Sequence, residues 1–135
     1  MEIAIALLAF AGAFVGVLFA RYLSRDQSQR DAVIRLVEAA LAYRRALVAG
    51  LAARSYDESA EGTFRLAASE LKARAVLVID KALREEGKTF HDLGWGAANV
   101  RGFGAFPNKP VDTDKVWAAF DAMCERVPGV LKKLA

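Results

Sequence analysis

The chain of 135 residues carries 19 lysine and arginine residues against 16 aspartate and glutamate residues, so its formal net charge is +3, and 55% of its residues are hydrophobic. This length accommodates one small domain. The excess positive charge lies in residues 21–54, which hold seven basic and three acidic side chains and directly follow the apolar N-terminal run. Attraction to anionic lipid headgroups is enough to explain this excess, so the charge gives little support to nucleic-acid binding. The single cysteine, Cys124, excludes an internal disulfide, and its distance in sequence from the single histidine, His91, argues against a metal site.

The first predicted element is a membrane-spanning helix. Ile3 to Ala20 is a run of eighteen apolar or small residues without a charge. As a helix it is about 27 Å long, close to the hydrocarbon thickness of a bilayer. A cleaved signal peptide is disfavoured because the run follows an acidic Glu2 and is followed by Arg21. A buried core helix rarely lacks a polar side over this length. We therefore expect an anchor over residues 1–23 that is retained in a lipid bilayer.

Basic residues after the apolar run predict its orientation. Arg21, Arg25, Arg30 and Arg35 follow the run, whereas only Glu2 precedes it. Because basic flanks stay in the cytoplasm, the N-terminus should face outward and residues 24–135 should form a cytoplasmic domain of a single-pass cell-membrane protein. Arg21 and Tyr22 suit the headgroup layer, which we expect Arg25 to border as well.

One face of the predicted anchor is formed by small residues at helical spacing. Such residues let two helix backbones approach closely in lipid, and residues 12–16 match the G-x-x-x-G pattern. This face predicts self-association or contact with another membrane protein. Its members are Ala9, Gly12, Ala13, Gly16 and Ala20.

Two long helices are predicted after the anchor. The first spans residues 24–54, and the second spans residues 58–86, with Asp57 or Ser59 as its N-cap and Gly87 as its stop. The short break between them predicts antiparallel packing. The apolar stripe of the first helix is Val33, Val37, Leu41, Leu47, Val48 and Leu51, and that of the second is Phe64, Ala67, Ala68, Leu71, Ala75, Val78, Ile79 and Ala82.

Residues 87–111 are predicted to form a loop because they are rich in glycine and end with two prolines. A final helix over residues 112–127 should start at Asp112 or Thr113, and Pro128 should separate it from a tail over residues 128–135. The buried stripe of this helix is predicted to be Val116, Trp117, Phe120, Met123, Cys124 and Val127.

Aromatic and basic residues in the predicted loop form a candidate contact surface. If the second helix returns toward the bilayer, Gly87 lies near the membrane and the loop meets the interface or a partner. The alternative is that the aromatic side chains cover the open end of the helical core. The residues concerned are Trp95, Arg101, Phe103, Phe106 and Lys109.

The sequence therefore predicts an all-α, non-enzymatic membrane protein that acts as an oligomeric scaffold, as a recruitment factor or as an accessory or regulatory subunit of a membrane complex. No catalytic residue, cofactor, metal or nucleic-acid partner is expected. One alternative is a phage- or defence-type effector that perturbs the membrane through oligomerised anchors. A second is an enzyme in which His91, Asp92, Arg101 and Lys109 converge in the 87–111 loop.

Overall fold

The described part of the chain folds into four α-helices. The structure, a computed structural model, describes the backbone of residues 2–135 and the side chains of residues 13, 17 and 25–135. The helices are α1 (Glu2–Ala52), α2 (Glu58–Val76), α3 (Lys81–Arg101) and α4 (Asp114–Lys133). The described backbone contains no strand, so the prediction of an all-α fold is confirmed.

The helices α1 and α2 pack antiparallel, as the short connection between them predicted. Gln29 of α1 hydrogen-bonds Leu77 just after α2 (3.3 Å), whereas the ring of Tyr43 lies 5.1 Å from the ring of Phe64 near the start of α2. Residue numbers thus rise along α1 as they fall along α2. Asp57 caps α2 by accepting a hydrogen bond from the Ala60 amide (3.1 Å), as predicted.

The helices α3 and α4 pair in the same way and complete a four-helix bundle. Glu86 near the start of α3 accepts a hydrogen bond from Arg126 late in α4 (2.8 Å). The rings of Phe90 and Phe120 lie 5.2 Å apart. Arg44 of α1 places its guanidinium 4.7 Å from the Phe120 ring, so α4 also borders α1. Up-down-up-down connection by short loops is typical of such bundles.

Aliphatic and aromatic side chains from all four helices fill the core. Tyr43 lies at its centre, with its ring 5.1 Å from Phe64 and 5.2 Å from Phe90. Its hydroxyl donates to the main-chain oxygen of His91 (2.7 Å), so its one polar group is satisfied. The largest fully buried side chains are Tyr43, Phe64, Phe90, Leu36, Leu47, Leu71, Leu83, Met123, Val33 and Val78.

The predicted helix over residues 58–86 begins where expected but its predicted end was wrong, because the chain turns at residues 77–80. Val76, Val78 and Ile79 are β-branched and have lower helix propensity than unbranched residues. Asp80 then starts α3 by accepting a hydrogen bond from the Leu83 amide (2.9 Å). A β-branched run followed by a capping residue therefore ends one helix and starts the next.

The predicted loop over residues 87–111 was only partly right, because α3 continues to Arg101 and the loop begins at residue 102. Gly87 does not end a helix: a Cβ there would lie 3.5 Å from both Ala75 and Leu36. At Gly94 a Cβ would overlap the buried ring of Tyr43, with 2.5 Å to its hydroxyl oxygen. Gly94 thus allows α3 to lie close to α1, whereas a Cβ at Gly87 would make only ordinary van der Waals contacts. The helix ends just before Gly102, which adopts the left-handed conformation.

The last helix begins at Asp114 and runs through Pro128 to Lys133, so the predicted end at residue 127 and the separate tail were wrong. Val130 is buried, and Leu131 and Leu134 pack against the core, which favours continued helix beyond the proline. In the predicted stripe Val116, Phe120 and Met123 are buried, and the half-buried Trp117, Cys124 and Val127 pack against them, as expected.

The predicted core face of the first helix was only partly right. Val33 and Leu47 are buried, but Leu41 and Val48 are exposed, and Leu36 and Tyr43 occupy the core in their place. The predicted boundary between anchor and domain, at residues 23 and 24, lies inside α1. On α2 the stripe is correct from Phe64 to Ala75, whereas Ile79 beyond the helix is exposed.

Candidate functional site

The predicted contact residues lie at two opposite ends of the bundle. The proximal end, where α1 enters, consists of residues 25–33, 76–81 and 130–134, and it contains the exposed Arg25. The distal end consists of residues 50–57 and 95–113 and contains the other described members of the set. The distance from Arg25 to Gly50 along α1 is about 37 Å. The distal members are Trp95, Arg101, Phe103, Phe106 and Lys109.

The reasoning that brought these aromatic residues near the bilayer was therefore wrong. The second helix does return toward the proximal end, but it stops at Val76, and α3 leads away again. Contact of the exposed distal residues with a partner stays a prediction. The side chains of Ala9, Gly12, Gly16, Ala20, Arg21 and Tyr22 lie outside the described residues, and Ala13 is exposed.

Two of the distal residues close the end of the bundle. Phe103 is buried, adopts a positive φ of 48° and places its ring over Gly50, tilted against the ring of Phe64 at 5.0 Å. Arg101 donates to the main-chain oxygens of Ala53 (3.5 Å) and Pro107. These contacts tie the α3–α4 loop to the α1–α2 loop, so Arg101 and Phe103 have a structural role here.

Beside this closure lies an open cleft of about 180 Å³. Glu61 on its rim accepts hydrogen bonds from the Tyr56 hydroxyl (2.5 Å) and the Arg65 guanidinium (2.6 Å). The hydrogen bond from Tyr56 is the main reason that the pKa of Glu61 lies below its usual value, and Arg65 adds to it. Trp95 lines the cleft and stacks 5.7 Å from Phe64. The charged groups of the cleft are thus engaged with each other.

The four residues of the enzyme alternative do not converge. His91 contacts Asp92 (Nδ1 to Oδ1, 2.9 Å), and its ring lies between those of Tyr43 and Trp95. Arg101 is ten residues further along α3, about 15 Å away. Lys109 instead lies over the ring of Phe106 (4.9 Å). In the described part of the chain no three His, Cys, Asp or Glu side chains are arranged to hold a metal ion.

Cys124 is half-buried on α4 and packs against the core. Burial raises the pKa of its thiol, and the negative charge of Asp121 raises it further. A thiol with a raised pKa is a poor nucleophile at neutral pH, so Cys124 is a packing residue in this arrangement.

At the proximal end the turn between α2 and α3 is held rigidly against α1. The side-chain amide of Gln29 donates to the Leu77 oxygen (3.3 Å) and accepts from the Ile79 amide (2.9 Å). Arg84 donates to the main-chain oxygen of Val78 (3.2 Å), whose side chain is buried. The other three aliphatic residues, Val76, Leu77 and Ile79, are more than half exposed.

A mostly apolar cavity of about 290 Å³ opens next to this turn. Its walls are aliphatic side chains from α1, the turn and α4, including Val33, Val78 and Val130. Arg25 and Lys133 also line it, together with Asp26 and Asp80. The proximal end therefore combines exposed aliphatic side chains with charged side chains of both signs.

A second exposed apolar feature runs along the outer face of α1. Ile34, Leu41 and Val48 are 47%, 38% and 49% exposed and are spaced seven residues apart. We call them the α1 stripe. A spacing of seven residues places all three on one face of the helix, where they are available to contact a second helix.

Comparisons with known proteins give no relative from which a role might be inferred. No family model, curated protein or solved structure matches the chain. The arrangement at the proximal end and along α1 therefore has to be interpreted from its own chemistry.

Among the residues that the structure describes, no helix is both long enough and apolar enough to cross a membrane. Within the apolar run of residues 3–20, the structure describes the side chains of Ala13 and Val17 alone.

Sequence reasoning missed the α1 stripe and the exposed turn, although both had a signal. Leu41 and Val48 of the stripe were assigned to the core because they alternate with true core positions at steps of three and four, and Ile34 was not recognised as part of an exposed face. The turn was hidden because Val76, Leu77, Val78 and Ile79 continue the apolar pattern of α2. The β-branched residues Val76, Val78 and Ile79, directly before Asp80, were the signal that a helix ends there.

Proposed function

We propose that the chain is a single-pass membrane protein whose cytoplasmic four-helix bundle acts as a self-associating scaffold for recruitment, or as an accessory subunit of a membrane complex. The proposal places residues 3–20 in the bilayer and the N-terminus outside. The mechanism is confinement to a surface, because an anchored domain meets partners on the same membrane at a raised effective concentration.

The observation that carries this proposal is the continuity of α1. The helix that starts at Glu2 and contains the apolar run is the same helix that forms one side of the bundle up to Ala52. In the proposed topology the bundle is therefore joined to its anchor by a helix instead of a flexible linker. The anchor itself rests on the sequence argument from length, lack of charge and the basic flank of Arg21, Arg25 and Arg30.

The α1 stripe supports self-association with a second copy of the chain. Counting back in sevens from Ile34 leads through Gln27 and Ala20 to Ala13, which is exposed. A straight helix drifts by about 20° per heptad, so a modest left-handed supercoil brings the small face of the anchor and the α1 stripe onto one seam. One heptad register thus joins two features that were identified independently.

The seam needs both of its parts. The α1 stripe consists of three side chains, whereas a specific stable interface buries about 1,200–2,000 Å² in total. Close packing of the small residues in lipid has to supply the remainder. We therefore expect the full chain to associate in membranes and the stripe to decide the register.

The first experiment tests the anchor and its direction in cells. We expect the full chain to stay with membranes after alkaline extraction, and a reporter at its C-terminus to be active only if it functions in the cytoplasm. Full-length, unprocessed chain in the soluble fraction without detergent contradicts the anchor. Activity of an export-dependent reporter contradicts the orientation.

The second experiment tests the seam by disulfide cross-linking in membranes. In a Cys124→Ala background, single cysteines replace Ile34, Leu41 or Val48, and Leu66→Cys serves as the matched control because Leu66 is 75% exposed on α2. We expect cross-linked dimers at all three stripe positions and few at position 66. Equal cross-linking at all four positions contradicts the seam.

A third measurement separates the scaffold from a membrane-perturbing effector. Purification in mild detergent should recover an oligomer or a complex of fixed stoichiometry, and induced expression should leave the membrane potential unchanged. A monomer without a stoichiometric partner contradicts the scaffold. Rapid depolarisation on induction contradicts it as well and favours the effector.

A further inference from the structure

The α2–α3 turn exposes an unusual concentration of aliphatic surface. Val76, Leu77 and Ile79 are 61%, 55% and 52% exposed, and they lie within four residues of each other at one tip of the bundle. Isolated exposed aliphatic residues are common on proteins, but a cluster at a protruding turn is typical of a contact surface. Val78 between them is buried and fixes the turn to the core.

The position of this turn relative to α1 is fixed by hydrogen bonds. Gln29 bonds the main chain of the turn on both sides, at the Leu77 oxygen and the Ile79 amide. The turn also shares a cavity wall with Arg25, one helical turn earlier on α1. The turn therefore lies beside residues 25–29 of α1.

This position is the level of the headgroups in the proposed topology. From Leu23, the last residue of the predicted anchor, Arg25 and Gln29 lie about 3 Å and 9 Å further along the helix axis. The headgroup region adds roughly 5–7 Å on each side of the hydrocarbon core. Arg25 thus lies within this layer and Gln29 just beyond it, so the exposed aliphatic side chains of the turn lie at its outer edge. A tilt of the anchor toward the turn, of the size common for membrane helices, brings them into the layer.

The charge around the turn fits an anionic lipid surface. Arg25, Lys81, Lys132 and Lys133 are exposed at this end, while Asp80 uses its carboxylate to cap α3. Arg30 is exposed as well, whereas Asp26 is half-exposed in the wall of the cavity and Asp31 is exposed on α1, so this end carries five basic and three acidic side chains. Basic side chains next to a membrane are attracted to the negative headgroups of the cytoplasmic leaflet.

We propose that the α2–α3 turn is a second membrane contact, in which Val76, Leu77 and Ile79 insert into the anionic headgroup layer beside the anchor. The basic residues around the turn bind the lipid phosphates and carboxylates. With the anchor and the turn both in the membrane, the bundle has a fixed orientation on the surface. This inference rests on the proposed function, because the anchor sets the depth of the turn.

The test measures the depth of single positions in the full chain. In a Cys124→Ala background, Leu77→Cys carries an environment-sensitive fluorophore, and the protein is placed in nanodiscs of phosphatidylcholine and phosphatidylserine with quencher-bearing lipids. Leu66→Cys is the control for an exposed aliphatic position away from the turn, and Val17→Cys is the control for the anchor, since Val17 is also exposed on α1.

We expect severalfold stronger quenching at position 77 than at position 66, and a decrease at position 77 when phosphatidylserine is omitted or when Lys132 and Lys133 are replaced by Gln. Quenching at position 77 no stronger than at position 66, with strong quenching at position 17, overturns the inference and leaves the anchor intact. Disulfide dimers of the unlabelled Leu77→Cys protein, together with an absence of quenching in the labelled protein, overturn it too, because a second copy then covers the turn. Weak quenching at position 17 refutes the proposed function itself.

Discussion

Gly94 offers a sharp test of the packing between α3 and α1. A Cβ at this position would lie 2.5 Å from the hydroxyl oxygen of Tyr43 and 2.7–2.9 Å from its ring. The ring has little room to move, because it is fully buried between Phe64 and Phe90. Tyr43 would have to tilt and weaken its hydrogen bond to the His91 oxygen.

The expected magnitude for Gly94→Ala follows from three opposing terms. Overpacking a core costs about 1–3 kcal/mol, and the loss of a hydrogen bond adds about 1 kcal/mol. The better helix propensity of alanine returns about 1 kcal/mol. We expect the free energy of unfolding to fall by about 1–3 kcal/mol, and Tm to fall by about 4 °C for each kcal/mol in a bundle of this size.

Gly96→Ala is the matched control, because a Cβ at this exposed position of the same helix meets no atom within 4 Å. Only the propensity term remains there, so we expect stabilisation by about 0.5–1 kcal/mol. The assay is thermal unfolding of the full chain in mild detergent, followed by circular dichroism at 222 nm. A Gly94→Ala protein as stable as the Gly96→Ala protein would refute the close contact between α3 and Tyr43.

Three further predictions test the ends of the helices and the core. Gly104→Ala should destabilise by about 2 kcal/mol or more, because φ is +88° and a Cβ would meet the main chain of Ser55; an unchanged Tm contradicts this loop geometry. Asp80→Ala should cost about 1 kcal/mol by removing the cap on the Leu83 amide, while Asp80→Asn should retain most of it; equal losses argue against a capping role. Burial, and secondarily the charge of Asp92, raise the pKa of Tyr43. Because the unfolded chain then releases this proton first, stability should fall by up to about 1.4 kcal/mol per pH unit above pH 10, and Tyr43→Phe should lack this contribution; the same slope in both proteins would contradict it.

The sequence predicted those parts of the fold that depend on local chemistry. The all-α class, the cap at Asp57 and the buried stripe of α4 around Phe120 follow from propensity, capping and periodicity, and these predictions are confirmed. The predicted core face of α2 from Phe64 to Ala75 is also correct. Each of these features is encoded within a few helical turns.

The parts that failed depend on contacts between distant segments. Gly94 has the local signal of a loop residue, and only the proximity of the Tyr43 ring explains why glycine is needed at this position inside α3. Pro128 is tolerated in α4 although its ring removes a helix hydrogen bond, and the segment after it packs Val130 into the core. Local patterns cannot distinguish a glycine that ends a helix from one that lets two helices touch.

The same limit applies to the candidate site. The aromatic residues of the distal end were expected near the bilayer because the second helix was predicted to return toward it and to end at residue 86. The chain instead turns at residues 77–80, and this turn reverses the direction of everything that follows. Phe103 instead closes the far end of the bundle. The exposed turn and the α1 stripe became visible only when burial separated the residues that face the core from those that continue the same pattern outside it.

The two proposed contacts use different sides of α1 and are therefore separable. Gln29, which holds the turn, and Ile34, which begins the stripe, are five residues apart, so their side chains differ in direction by about 140° around the helix. In a dimer formed through the α1 stripe, the α2–α3 turn of each copy stays free to contact lipid. Replacing Leu41 and Val48 with serine should abolish cross-linking at position 34 and leave the lipid quenching at position 77 unchanged. If the quenching disappeared together with the cross-links, the turn would reach the membrane only within the dimer, and the two contacts would not be independent.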